Sequence, residues 1–311
     1  MSRRRLGPAS LHGPTDRPRI LTMGDLMVDV TVALSAEIAR ATDTSARIRT
    51  GWGGSAANVA AWLAAIDVSA AFLGRVGADS FGQAATDALR AAGVAVYADT
   101  DADRPTGTCV VLVHPGAERS MLPDAGANAG LRPEHLGIEP FAWASHLHLS
   151  AYTLFNEGSR AAGLAAQYRA QKVGMTLSVD AASAAPLIAA GVDNFLSWTS
   201  GADLLFANLD EAVAITGASD PHAATEGLTG HYSEVVVKLG AAGAMWAGDG
   251  AGSVRVGGSA AEVVDTTGAG DAFAAGFLSA RLRDDDPKVA LEAGTALAAR
   301  AISRLGARPI R

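Results

Sequence analysis

Short apolar runs alternate with helix-forming segments along the chain, and this alternation constrains the fold more than any other feature. The predicted strands lie at residues 20–30, 70–76, 146–149, 176–180, 204–207, 235–239 and 254–256, and the first of them ends in a polar turn at Gly24 and Asp25. The predicted helices lie at residues 55–65, 80–92, 159–171, 209–216, 221–228 and 287–305. Strands that alternate with helices in this way form a parallel sheet covered on both faces. We therefore predict an α/β fold that binds its ligands at the carboxyl ends of the strands.

The bulk properties of the chain narrow the class of protein. The 311 residues suit one large domain or two smaller ones, and we expect one domain over residues 20–311. A basic leader at residues 1–19, which we expect to be disordered, precedes it. The net charge of −7 argues against a nucleic-acid partner. A membrane span needs about 18 consecutive apolar residues, and no apolar run in the chain is that long. The single cysteine, Cys109, allows no internal disulfide. We therefore expect a cytoplasmic protein without a membrane partner.

The string DTTGAGD at residues 265–271 carries the clearest chemical signal. An apolar run precedes it and a helix-forming segment follows it, which predicts a strand, a glycine turn and a helix. The backbone N–H groups of Gly268, Ala269 and Gly270 then lie at a helix N-terminus, which favours an anion. A carboxylate beside that anion, Asp271, is suited to take a proton from a nucleophile that attacks a phosphoryl group. The alternative is an ordinary turn with a capping aspartate, and the two hydroxyls and second carboxylate of the string favour function.

Two common nucleotide-binding signatures are absent from the sequence. The chain has no Gly-Lys dipeptide, which excludes a phosphate loop of the Walker type. No G-x-G-x-x-G string follows the first predicted strand. A protein of this sequence that binds ATP must therefore use another arrangement.

The string at residues 265–271 resembles the C-terminal signature of the ribokinase-like (PfkB-type) carbohydrate kinases. A second signature of that family resembles GGSAAN at residues 53–58 and GRVGADSFG at residues 74–82, and the likeness extends over roughly residues 20–309. The resemblance implies a three-layer sandwich with a mainly parallel central sheet flanked by helices. It also implies a small β-sheet lid, which we place at residues 31–50 and 106–122, and a homodimer formed through that lid.

The resemblance implies an ATP- and Mg²⁺-dependent kinase. Asp271 would be the base that activates the acceptor hydroxyl. Gly268, Ala269 and Gly270 would form the anion hole for the transferring phosphoryl group. Phosphoryl transfer needs positioning and charge neutralisation more than covalent catalysis, which agrees with this assignment.

On the acceptor side the resemblance points to two aspartates and to the double glycine. Asp29 matches the family's substrate aspartate, at what we predict to be the end of the first strand, and Asp25 is the weaker match. Gly53 and Gly54 let a polyhydroxy ligand approach the backbone, and Asn58 offers both a donor and an acceptor. The alternatives are turn aspartates and a plain helix start.

On the nucleotide side Asn208 and Glu211 resemble the family's N-x-x-E motif, which organises Mg²⁺ through water and the phosphates. Simple helix capping is the alternative. Lys238, Gly240 and Gly243 follow a strand where the family contacts nucleotide phosphates, and a strand-end lysine in solvent is the alternative.

A monovalent-cation site is a further hypothesis from the resemblance. Asp265, Thr267 and Gly306 match the segments from which some family members build such a site. Ile310 stands where a hydroxyl is often found. Potassium activation is therefore a hypothesis.

The acceptor is where the sequence departs from the family pattern. Met27 replaces the asparagine of a ribokinase, Ser55 replaces its lysine, and residues 149–150 lack its glutamate. These departures disfavour ribose itself. Neither acceptor motif offers a cation, which disfavours a sugar phosphate. A primary hydroxyl of a neutral sugar such as a ketohexose (fructose type) or a pentose (ribose type), of a keto-deoxy sugar acid or of a nucleoside remains as the acceptor.

Two other functions stay open. A nucleoside kinase of the same family would stack its acceptor on an aromatic side chain, with Phe81, Tyr152 and Phe155 as candidates. A non-catalytic sugar sensor on the same fold is the other, and the intact Asp271 and glycine turn argue against it.

Overall fold

A computed structural model of the chain describes residues 18–114, 119–283 and 286–309. In chain order the strands are β1 (Arg19–Met23), β2 (Met27–Leu34), β3 (Ala46–Gly53), β4 (Ser69–Gly77), β5 (Ala95–Asp101), β6 (Gly107–Val113), β7 (Arg119–Asp124), β8 (His146–Ser150), β9 (Thr176–Asp180), β10 (Leu204–Asn208), β11 (Glu234–Lys238), β12 (Ala244–Gly248) and β13 (Gly252–Val256). The helices are α1 (Ser55–Ala65), α2 (Ser80–Ala91), α3 (Glu139–Trp143), α4 (Tyr152–Phe155), α5 (Glu157–Lys172), α6 (Ala184–Ala190), α7 (Val192–Trp198), α8 (Leu209–Thr216), α9 (Pro221–Leu228), α10 (Ala269–Arg281) and α11 (Pro287–Ile302).

A nine-stranded sheet in the order β13-β12-β11-β10-β9-β8-β1-β4-β5 forms the middle layer. The pairs from β11 to β5 are parallel, and β12 and β13 add an antiparallel edge. Both faces of this sheet are covered by helices. Successive side chains of a strand point to opposite faces and therefore pack into different apolar clusters. Ile20 of β1 packs into one apolar cluster with α1 and α10, and Leu21 packs into the other with α5. The predicted three-layer sandwich with a mainly parallel sheet is confirmed.

A separate four-stranded sheet has the order β3-β2-β6-β7, and we call it the small sheet. Its outer pairs are antiparallel and its central pair, β2 with β6, is parallel. The small sheet that the fold prediction included is therefore present. Residues 115–118 of the predicted lid, and most of the leader at 1–19, lie outside the described residues.

The first predicted strand is confirmed up to its polar turn at Gly24 and Asp25, but the part after the turn does not continue it. At the turn, an added Cβ on Gly24 would stand 2.9 Å from the Cβ of Ala56. The part after the turn, β2, belongs to the small sheet. The apolar run before the DTTGAGD string forms no strand, since the N–H groups of Val264 and Asp265 donate to the carbonyl of Ile302 at the end of α11.

The helices were predicted more closely than the strands. The bounds of α1, α8 and α9 agree with the sequence prediction, whereas α11 ends at Ile302 rather than at residue 305. The strands β5 and β12 and the helices α6 and α7 were not predicted. Within the described ranges, no helix is both long and apolar enough to cross a membrane.

Candidate active site

A cavity of about 1130 Å³ opens where the strands of the large sheet end and the small sheet begins. It brings together most residues that the sequence analysis singled out. Those that line it are Asp25, Asp29, Gly54, Asn58, Asn208, Glu211, Lys238, Gly240, Gly243, Thr267, Gly268, Ala269, Gly270 and Asp271. The acceptor motifs, the nucleotide motifs and the DTTGAGD string therefore face one space.

The N-terminus of α10 points into this cavity. Gly268 is the N-cap residue, in the left-handed conformation with φ 76°, and the helix runs from Ala269. An added Cβ at Gly268 would stand 2.6 Å from the carbonyl oxygen of Ala307, so the position has no room for a side chain. The start of α10 at Ala269 and its position in the cavity lining agree with the predicted anion site at the N–H groups of the first helical turn.

Asp271 lies in the first turn of α10, as predicted. Its carboxylate accepts hydrogen bonds from Ser55 Oγ at 2.8 Å and from Asn58 Nδ2 at 2.9 Å. Burial raises the pKa of Asp271 to about 6, although these two hydrogen bonds oppose the shift. The carboxylate is thus held in place by α1 and remains mostly ionised at neutral pH.

Ser55 was noted in the sequence only as a departure from the family pattern. In the structure its hydroxyl holds one oxygen of Asp271 across 216 positions of sequence. Its place as the first residue of α1, directly after the double glycine, was the available signal.

The acceptor side of the cavity is acidic. Asp29 comes from β2 of the small sheet, not from the end of the first strand as predicted, and Asp25 from the loop before it. Burial raises the pKa of both carboxyls to about 6. Gly53 does not line the cavity, but a Cβ there would stand 2.2 Å from Asp29 Oδ1, so only glycine lets this carboxylate pack against the backbone.

A cation also reaches the acceptor motifs, and the sequence analysis missed it. Arg308 donates from Nε to Asn58 Oδ1 at 3.0 Å and from Nη2 to the carbonyl of Gly53 at 2.7 Å. Its charge lowers the pKa of Asp29 against the larger effect of burial. Neither acceptor motif contains a cation, as the sequence indicated, but Arg308 brings one next to both of them from outside the motifs.

Lys238 ends β11 and lines the cavity beside the other residues of the predicted nucleotide motifs. Its Nζ donates to Asp180 Oδ2 at 2.7 Å, and its side chain is only 16% exposed, so the alternative of a lysine in solvent is wrong. Burial opposes the ammonium charge, but Asp180 and Glu211 outweigh it and raise the pKa of Lys238. A Cβ at Gly270 would stand 3.3 Å from Nζ, which places the ammonium beside the N-terminus of α10. Asp180 was predicted only as the end of a strand and not as a residue of the site.

Gly240 and Gly243 flank the short turn after Lys238 and also line the cavity. Gly243 has φ 94°, and a Cβ there would stand 2.0 Å from the carbonyl oxygen of Val256. The close approach of the turn between β11 and β12 to the end of β13 therefore needs this glycine.

Asn208 and Glu211 form a capping box at the start of α8. Asn208 Oδ1 accepts from the N–H of Glu211 at 2.8 Å, and the N–H of Asn208 donates to Glu211 Oε2 at 2.8 Å. The capping alternative is therefore present. Glu211 nevertheless lines the cavity, and burial raises its pKa to about 7 against the charge of Lys238.

The oxygens of Asp180 and Glu211 fit a hard cation such as Mg²⁺. Within the described part of the chain, no group of three or more His, Cys, Asp or Glu side chains could chelate a metal by itself. A bound Mg²⁺ would therefore depend on phosphate oxygens and water as well as on these two carboxylates.

The residues of the potassium hypothesis lie together. Asp265 accepts from the N–H of Thr267 at 2.8 Å and from the N–H of Gly306 at 3.0 Å. Ile310 lies outside the described residues.

Comparison with known proteins agrees with this geometry. The family described as pfkB family carbohydrate kinase matches residues 17–310. The chain is 33% identical over 296 residues to the ATP-dependent ribose-1-phosphate kinase of Halopiger xanaduensis, covering 93% of this chain and 94% of the relative. It is 30% identical over 272 residues to a fructokinase of Klebsiella pneumoniae, covering 84% and 83%. Adenosine kinase from Sinorhizobium meliloti superposes with a TM-score of 0.87 at 27% identity, covering 95% and 97%.

The fold and the cavity are those of a small-molecule kinase. The chain belongs to the pfkB family of carbohydrate kinases. It is an ATP-dependent kinase with an alcohol group as its acceptor. Its relatives act on a sugar phosphate, a free sugar and a nucleoside, so membership defines the reaction and leaves the acceptor to this chain's own residues.

Proposed function

We propose that the protein transfers the γ-phosphoryl group of ATP to a primary hydroxyl of a sugar bound beside Asp25, Asp29 and Asn58. The hydroxyl oxygen bonds to the γ-phosphorus, the bond from that phosphorus to the β,γ-bridging oxygen breaks, and ADP leaves with the electron pair. Asp271 takes the hydroxyl proton. The observation that carries this proposal is the Asp271 carboxylate, held by Ser55 and Asn58 at the N-terminus of α10.

The proposed roles divide the cavity into two halves. Gly268, Ala269 and Gly270 form the anion hole for the transferring group. Lys238 supplies a point charge to the nucleotide phosphates, and Asn208, Gly240 and Gly243 shape that half. Glu211 would hold Mg²⁺ through water, and the metal would neutralise charge on the phosphates.

A panel of acceptors with ATP, read out as ADP release, tests the proposal. The panel contains ribose 1-phosphate, fructose, ribose, a keto-deoxy sugar acid and adenosine. We expect turnover on at least one sugar. Binding of a sugar without turnover on any compound would contradict the proposal and favour a sugar sensor.

A nucleoside acceptor is the second candidate. Tyr152 and Phe155 both line the cavity, where they offer faces for stacking, whereas Phe81 does not line it. Turnover on adenosine in the same panel, with none on sugars, would select this candidate.

Three further expectations belong to this proposal. Potassium activation through Asp265, Thr267 and Gly306 is tested by comparing rates in K⁺-free and K⁺-rich buffers, and equal rates would remove it. A homodimer through the small sheet is supported by exposed apolar side chains on its outer strands, Ile48 and Leu122. A cytoplasmic location remains a prediction.

The acid side of the pH profile follows from the buried carboxyls. Because burial raises the pKa of Asp271 to about 6, the base is ionised above that value and becomes protonated as the pH falls through it. We expect kcat to be flat at neutral pH and to fall below about pH 6. Measuring kcat at saturating acceptor separates this effect from weaker binding by Asp29, which protonates over the same range. A kcat that stays flat to about pH 5 would contradict the assignment.

A further inference from the structure

The C-terminal segment at residues 306–309 lies between the two glycine motifs of the site. Trp62 of α1 donates from Nε1 to the carbonyl oxygen of Ala307 at 2.9 Å. Gly268, at the start of α10, packs so closely on Ala307 that no side chain fits between them. The segment therefore fixes the helix of the acceptor motif to the helix of the anion hole.

Arg308 is the charged residue of this segment, and its side chain points at the acceptor motif. Two of its guanidinium nitrogens, Nε and Nη2, donate to Asn58 Oδ1 and to the carbonyl of Gly53. Its Nη1 is buried and has no hydrogen-bond partner among the described residues. Arg308 does not line the cavity itself. It lies behind Asn58, which does.

The contact with Arg308 decides which way the Asn58 amide faces. An amide has an acceptor end and a donor end, and the guanidinium can only donate. With its oxygen held by Arg308, Asn58 must turn its Nδ2 towards Asp271, and the structure has this hydrogen bond at 2.9 Å. The reversed amide would set two oxygens against each other and leave a donor facing the arginine.

The charge of Arg308 also supports Asp271 as a base, because a nearby cation favours the ionised carboxylate. Its guanidinium interacts favourably with both Asp29 and Asp271. The other charged or titratable groups that act on Asp271 are Lys238, whose charge favours the carboxylate, and Asp180, whose charge disfavours it. Tyr152 faces the same carboxylate and is neutral at physiological pH, because burial raises its pKa to about 12. Arg308 is thus the cation on the acceptor side of the base.

We propose that Arg308 is a positioning residue for the phosphoryl transfer, acting through Asn58 to aim the Asp271 carboxylate at the acceptor hydroxyl. The proposal rests on the proposed function, in which Asp271 takes the hydroxyl proton. No bond to Arg308 forms or breaks. Its role is to hold a neutral amide in one orientation and to favour the ionised form of the base.

The test compares Arg308→Gln, Arg308→Lys and a matched control, Arg300→Gln, which removes an exposed arginine from α11. We expect Arg308→Gln to lower kcat by about 10- to 100-fold, because a displaced catalytic group loses that much, with KM for ATP unchanged. The acid limb of its kcat profile should move to higher pH, because a cation that favours the ionised carboxylate is removed. Arg308→Lys should restore the position of the limb but only part of kcat. Arg300→Gln should behave as the parent protein.

A double variant separates this proposal from the proposed function. If Arg308 acts through the base, Arg308→Gln should cost little further in the Asp271→Asn background. An equal loss in both backgrounds, or an effect confined to KM for phosphorylated acceptors, would overturn the positioning role. If Asp271→Asn itself leaves kcat unchanged, the proposed function fails, and the single variants report this separately. Should Arg308→Gln not fold, Arg308→Lys carries the test, and a parent-like kcat for it would overturn the role of the two directed hydrogen bonds.

Discussion

Asp271→Asn is expected to lower kcat by about 10²- to 10⁴-fold, the usual contribution of a general base. The amide cannot take a proton from the acceptor hydroxyl. It can keep both contacts of the native carboxylate, because its oxygen accepts from Asn58 and the Ser55 hydroxyl can turn to accept from its amino group. The variant therefore changes the chemistry with little change in packing. Steady-state kinetics on the preferred acceptor give kcat, and calorimetric titration gives the affinity for ATP.

The matched control is Asp87→Asn, which removes an exposed carboxylate on α2 that pairs with Gln83 and Arg90 of its own helix. We expect parent-like kcat, ATP affinity and melting temperature for this control. For Asp271→Asn we expect parent-like ATP affinity and a melting temperature that is unchanged or higher, since the native carboxylate is buried against its preference for water. A kcat above about a tenth of the parent value would rule out Asp271 as the base.

Local signals were enough to predict several helices. Asn208 caps α8 and Gly217 ends it in the left-handed conformation, while Asp220 and Pro221 begin α9. Each of these residues acts within four positions of the helix end, so the sequence carries the information directly. The bounds of both helices could be predicted for this reason.

Strand partners could not be predicted in the same way. The polar turn at Gly24 and Asp25 could be predicted from the sequence, but not that the chain leaves the large sheet there, where Gly24 packs against α1 and β8. That turn moves Asp29 into the small sheet. Similarly, the run before the DTTGAGD string binds to the end of α11 instead of pairing as a strand. Both outcomes depend on partners far away in the chain, which hydrophobic pattern does not encode.

The candidate site likewise combines local features that the sequence predicts with long-range contacts that it does not. The motif residues could be found because each motif is a short, continuous string. The contacts that set their chemistry are long-range: Ser55 is 216 positions from Asp271, and Arg308 is 250 positions from Asn58. A single sequence gives no reason to pair a C-terminal arginine with the double glycine. The class of reaction could therefore be predicted from the sequence motifs, whereas the charges around the predicted acceptor motifs could be described only from the structure.

Gly268→Ala is expected to lower kcat by about 10²- to 10³-fold, as the loss of a donor from an anion hole does. Gly268 adopts φ 76°, and its new Cβ would stand 2.6 Å from the Ala307 carbonyl oxygen, so either the first turn of α10 or the C-terminal segment must move. Gly217→Ala is the matched control, because Gly217 has φ 72° and no atom within 4 Å of the added Cβ. Both variants share the left-handed strain of about 1–2 kcal/mol. We compare the melting temperatures and kcat values of the two variants, and any larger loss in Gly268→Ala reports the overlap of the new Cβ with Ala307. If Gly268→Ala loses no more kcat than Gly217→Ala, the N-terminus of α10 does not hold the transferring phosphoryl group.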